Sequence, residues 1–63
     1  DFKGDNPDKI QSGMLIEHQR FGKGKVLKIE GSDNQRKALV FFQSVGEKQL
    51  LLKFAKLKIV KIN

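Results

Sequence analysis

From Gly13 onward the chain is a series of short apolar runs, each five to eight residues long, cut apart by clusters of turn-forming residues. No run has the length or the 3.6-residue period of a packed helix, and the alternation within most of them fits a half-buried strand. That spacing predicts a small all-β domain. The first run is MLIEH (14–18), where Met14 and Ile16 alternate with Leu15 and Glu17. A turn, QRFGKG (19–24), leads into KVLKIE (25–30). Val26 and Ile29 lie three apart and would face opposite sides of a regular strand, so a bulge or bend near Lys28 is expected. GSDNQ (31–35) is turn chemistry throughout. RKALVFFQ (36–43) is the strongest strand signal, with Ala38, Val40 and Phe42 on one face and Leu39 and Phe41 on the other. After a short Ser-Val-Gly loop, EKQLLL (47–52) places Leu50 and Leu52 on one side. KFAKL breaks the alternation and predicts a single turn of tight helix, and KIVKI (58–62) resumes it.

A helical reading of the last third fails, because at 100° per residue Lys53, Lys56, Lys58 and Lys61 scatter around the wheel. Five short strands joined mostly by tight turns predict a strongly bent antiparallel sheet that closes into a small SH3-like barrel over residues 13–63. Residues 1–12 are polar, contain Gly4, Asn6 and Pro7, and show no apolar period. They read as a flexible N-terminal linker with Phe2 and Ile10 as its only anchors. Only one domain is expected, since a chain this short buries about 60% of its unfolded surface. The start at Asp1 and the linker-like opening read as a piece of a larger protein.

The chain has no cysteine, which removes disulfides and thiolate zinc sites as props for the fold. No run approaches the ~18 apolar residues of a membrane span, and the opening lacks the pattern of a secretory signal. A cytoplasmic, monomeric domain with no membrane partner is the expectation. Thirteen Lys and Arg against seven Asp and Glu give a net charge of +6. Three of those acids and only two of the bases fall in residues 1–12, so residues 13–63 carry eleven bases and four acids, or +7. Such a charge attracts nucleic acid or an acidic protein face, and it also keeps a soluble domain apart from its neighbours.

Catalysis finds little material. Ser12, Ser32 and Ser44 have no evident base and orienting partner, and His18 is the single histidine. Glu17 and His18 are adjacent in a strand and point to opposite faces; His18 reads as solvated or locally hydrogen-bonded. A phosphate-loop reading of Gly22-Lys23-Gly24-Lys25 also fails. Leu27 stands where a dinucleotide fingerprint needs its third glycine, Val26 stands where a P-loop needs Ser or Thr, and a strand follows instead of a helix. The glycines instead read as supplying positive φ or close backbone approach.

Arg20 and Phe21 remain. Phe21 is either a plug of the barrel or a contact surface, and Arg20 is a planar multi-donor group placed at the turn. Lys48, Lys53, Lys56, Lys58 and Lys61 could form a stripe for a phosphate backbone. Stacking partners for bases are scarce, because Tyr and Trp are absent and Phe41 and Phe54 sit in runs that look like core. An aromatic cage for methylated lysine needs more aromatics and acids than this chain has.

Gly13, the strand-ending His18, then Gln19, Arg20, Phe21, Gly22, Gly24 and Val26, are followed by ALVFF and by Lys48, Leu50, Leu51, Lys53, Phe54 and Ala55. With a one-residue shift inside the leucine run, this arrangement resembles the carboxy-terminal domain of UvrD/PcrA-type superfamily-one DNA helicases across residues 13–61. The resemblance implies a Tudor-like, SH3-type five-stranded barrel tethered behind a helicase motor. It implies docking onto RNA polymerase, in repair coupled to transcription, with contact to DNA as a further role. The implied partner surface is Arg20 and Phe21, with Gln19 and Lys23 beside them and Gly22 and Gly24 shaping the turn. The implied module is non-catalytic and holds no cofactor of its own; ATP and magnesium belong to the motor. Phe21 stands where the family often has Trp, which lowers contact area and removes an indole donor. Lys56 stands where proline is common, which loosens the last turn. Two alternatives accompany this reading: a binder of the DNA backbone through Lys48, Lys53, Lys56 and Lys58, or a regulator that packs on the motor in cis.

Overall fold

The computed structural model describes residues 2–60 and is a five-stranded antiparallel barrel of SH3-like form. Its strands are β1 (Leu15–His18), β2 (Gly22–Glu30), β3 (Lys37–Phe42), β4 (Gly46–Leu51) and β5 (Leu57–Ile59), with short 3₁₀ turns at Pro7–Lys9 and Asp33–Gln35. The sheet order is β4-β3-β2-β1-β5, so consecutive strands pair until β5, which crosses over to lie beside β1. The inward positions are those the alternation predicts. Ile16, Val26, Ala38, Val40 and Phe42 are fully buried, and Leu52 and Leu57 close the core from the two ends of the last turn. Burying a side chain of this size is worth roughly 1.5–3 kcal/mol, so these few residues supply most of what holds so small a sheet together.

The expected irregularity in β2 is present. Pairing with β3 passes from Val26 opposite Val40 directly to Lys28 opposite Leu39, which leaves Leu27 unpaired. The extra residue turns Ile29 back to the core side, where it packs against the buried cluster. The single helical turn after β4 is present too. The N–H groups of Phe54 and Ala55 both donate to the carbonyl of Leu51, each at 3.0 Å. The last strand begins at Leu57, and the end of the expected 58–62 run, with Lys61, lies outside the described residues.

Two expectations are corrected. The turn expected over 19–24 covers only 19–21, and β2 starts at Gly22. Gly22 enters the strand at φ +81°, a conformation that glycine adopts without a steric penalty. Gly24 pairs with Ile16 on one side and Phe42 on the other. A Cβ there would sit 2.6 Å from Cδ1 of Phe42 and 2.8 Å from the carbonyl oxygen of Phe41. The second correction concerns residues 5–10, which are seated on the barrel instead of hanging free. Ile10 is 1% exposed and belongs to the core. The Arg36 guanidinium donates to the carbonyls of Pro7 (3.2 Å) and Ile10 (2.9 Å). Asp5 donates its N–H to the carbonyl of Leu57 (2.8 Å) and accepts the N–H of Ile59 on its carboxylate (2.7 Å).

Gly24→Ala forces either Phe42 or a strand backbone to move, and is expected to cost about 1–3 kcal/mol. Chemical denaturation should show a lower midpoint with little change in slope; an unchanged midpoint would mean that the β2–β3 contact is looser than described.

Candidate docking site at the first hairpin tip

His18 ends β1 and its ring builds the turn that follows. Nδ1 accepts the N–H groups of Arg20 (3.0 Å) and Phe21 (3.2 Å), which otherwise have no strand partner. The imidazole lies flat on the Phe21 ring, with centroids 4.5 Å apart and planes 13° off parallel. Both rings meet Phe42 edge-on, at 5.8 Å from His18 and 5.3 Å from Phe21. Phe21 is thus half-buried against the core, and the plug reading describes it better than a bare contact surface. The Lys48 ammonium covers its ring from β4 at 5.9 Å, and Ser44 Oγ donates to the Phe21 carbonyl at 2.7 Å. That last bond ties the β3–β4 turn to the β1–β2 turn.

A turn pinned from both sides presents its remaining side chains in a fixed place. Gln19, Arg20 and Lys23 are exposed, Gly22 is half-buried, and Gly24 is buried, so Gly24 shapes the hairpin from within and offers no surface. Arg20 borders a shallow groove with His18, Gln19, Phe54, Ala55 and Lys56. Phe54 was expected in the core, yet it is 75% exposed. The helical turn explains the difference: it buries Leu52, half-buries Ala55, and aims Phe54 outward with the Lys53 ammonium 5.1 Å over its ring. Phe41 likewise lies outside the core, 45% exposed.

Of the lysines expected along a phosphate stripe, the described Lys48, Lys53, Lys56 and Lys58 are exposed, and Lys53 and Lys56 line one groove with Phe2 and Phe54. Lys48 covers Phe21, Lys53 covers Phe54, Lys56 borders the Arg20 groove, and Lys58 lies on β5 opposite Glu17 and 5.9 Å from the Phe2 ring. Among the described residues no cluster of His, Asp and Glu could hold a metal ion.

A tight His-capped turn, a Gly-x-Gly entry into the long bulged strand, and a helical turn before β5 together define a recognisable domain type. The family model of the PcrA/UvrD tudor domain matches residues 13–58. The chain belongs to that family. This tudor domain is 39% identical over 49 residues to DNA helicase II of Haemophilus influenzae, a match covering 78% of the chain and 7% of the helicase. It is 34% identical over 56 residues to DNA helicase II of Salmonella typhimurium, covering 89% of the chain and 8% of that protein. The chain therefore spans less than a tenth of the length of either relative.

The reading of His18 as locally hydrogen-bonded holds, with the single lone pair of Nδ1 shared between the N–H groups of Arg20 and Phe21. Burial, and secondarily the charge of Arg20, hold the His18 pKa below the usual value of 6.5. Between that lowered value and 6.5 the unfolded tudor domain binds more protons than the folded one, so stability rises with pH. The contribution is complete above pH 6.5 and is lost as pH falls through the folded value. His18→Asn keeps an acceptor near the Nδ1 position but cannot titrate. It should be less stable at neutral pH for want of ring stacking, and its melting temperature should fall less than the parent's between pH about 7 and about 5. Parallel pH profiles would remove His18 as the titrating group.

Proposed function

We propose that the chain is a non-catalytic interaction module of an ATP-dependent DNA helicase, docking that enzyme onto RNA polymerase through the β1–β2 tip during repair coupled to transcription. The observation that carries this reading is the pairing of Arg20 with Phe54. Each is exposed, the two border one groove, and each stands on a turn closed by its own hydrogen bonds. Arginine and large aromatic side chains dominate the energetics of protein interfaces, and holding them in place beforehand lowers the entropy lost on binding. A phenylalanine three-quarters exposed on a domain this small serves a partner better than it serves the fold. The helicase identity rests on the family and on the two relatives, both DNA helicase II. ATP and magnesium would serve the motor, and the setting would be the bacterial cytoplasm and nucleoid.

In a titration of the labelled domain with core RNA polymerase at physiological salt, the parent should bind saturably. Arg20→Glu should abolish binding while leaving the denaturation midpoint almost unchanged, because the side chain contributes nothing to the core. Phe54→Ala should weaken binding about thirtyfold, the size expected for one interface anchor. Equal binding by Arg20→Glu and the parent would move the site elsewhere, and no binding by the parent would shift the partner to DNA or to the motor domains in cis.

A further inference from the structure

The outward face of the sheet on β1, β2 and β3 carries a second surface, away from the Arg20–Phe54 groove. Leu15 pairs across to Lys25, and Lys25 across to Phe41, so these three side chains form one row on the outside of the barrel. Val60 extends the row past Leu15, to whose carbonyl it donates its N–H at 2.9 Å. Lys23 stands two residues from Lys25 on the same side of β2, and Gln43 follows Phe41 by the same step. Leu15, Lys23, Lys25, Phe41, Gln43 and Val60 line one concavity, with Gly24 as part of its floor. No acid lines it; Glu17 and Glu47 lie outside it, opposite Lys23 and Phe41 respectively.

Phe41 is distinctive among the five phenylalanines. Phe2, Phe21, Phe42 and Phe54 each have a ring or an ammonium group against them, whereas among the described residues Phe41 has neither. The residue is 45% exposed, with lysines on the neighbouring strand. An uncovered aromatic face accepts any base, flanking ammonium groups accept phosphates, and a side-chain amide accepts a base edge. Two lysines at i and i+2 on one strand face stand about 7 Å apart, which suits successive phosphates of an extended strand. A peptide is the poorer occupant. The backbone of β1 and β2 is already paired on both sides, so the face offers no main-chain hydrogen bonds to an added strand.

We infer that this outer face is a binding site for single-stranded nucleic acid, in which one base stacks on Phe41 and the adjoining phosphates meet Lys23 and Lys25. A duplex keeps its bases stacked internally and cannot use the ring. The site shares no residue with the Arg20 groove, and of its lining only Lys23 and Gly24 also belong to the β1–β2 hairpin tip.

The test is fluorescence anisotropy with a labelled oligothymidylate of about 12 nucleotides, within the usual footprint of small binding domains, and with a duplex of equal length. The parent should bind the single strand saturably at low salt and more tightly than the duplex. Phe41→Leu keeps an apolar side chain on β3 and should weaken oligothymidylate binding about fivefold or more. Lys23→Gln combined with Lys25→Gln should reduce the slope of log K against log salt by about 1.4, corresponding to two phosphates. Phe41→Leu should leave polymerase binding unaltered. The inference is overturned by no saturable binding of oligothymidylate, by equal affinity for duplex, or by Phe41→Leu binding as the parent does. Loss of polymerase binding in Phe41→Leu, with the oligonucleotide unaffected, would assign the face to the protein partner instead.

Discussion

Everything in this barrel is arranged around the contact between Phe42 and Gly24. The ring of Phe42 lies where any side chain at position 24 would stand, so β2 and β3 come together with a fully buried aromatic filling the gap between them. The same ring meets His18 and Phe21 edge-on. It thereby links the centre of the core to the turn that carries Arg20. A chain of this size can bury few large side chains, and placing one of them at the base of the exposed hairpin lets the core's own packing stiffen a surface feature. Fold and candidate site are therefore not separable here, and a change that loosens Phe42 acts on both.

The strands and their inward faces were legible because alternation is a strong signal when one face is buried and the other wet. Even the bulge could be read, since Val26 and Ile29 are both β-branched and one of them had to be brought back to the core. What escaped depended on bonds between side chains and backbone. The seat of residues 5–10 is set by backbone carbonyls meeting Arg36 and by Asp5 meeting β5, and neither leaves an apolar pattern along the chain. The early start of β2 depends on a ring nitrogen of His18 closing the turn in three residues.

The candidate site was half legible. A base at a glycine-flanked turn marked Arg20, and the family resemblance pointed to the same hairpin. Phe54 looked like core because it follows three leucines, and only the direction of the helical turn sends it outward. Phe41 shows the limit of pattern in another way. Alternation put it opposite Phe42, but its surroundings across the sheet, Lys25 and then Leu15, are set by register. The chemistry of a sheet face is a property of rows that cross several strands, and such rows are invisible along any one of them.

The seated opening segment has a consequence for how these molecules can associate. Asp5 satisfies the outward N–H of Ile59 and the outward carbonyl of Leu57, so one margin of the sheet is sealed. The other margin, β4, has no strand beyond it among the described residues. Growth of a fibre by strand addition needs two open margins on every subunit, one to receive and one to offer. With a single open margin, such growth ends at a pair. A basic domain with exposed phenylalanines is in this way protected against runaway polymerisation by the segment of its sequence that looked least structured.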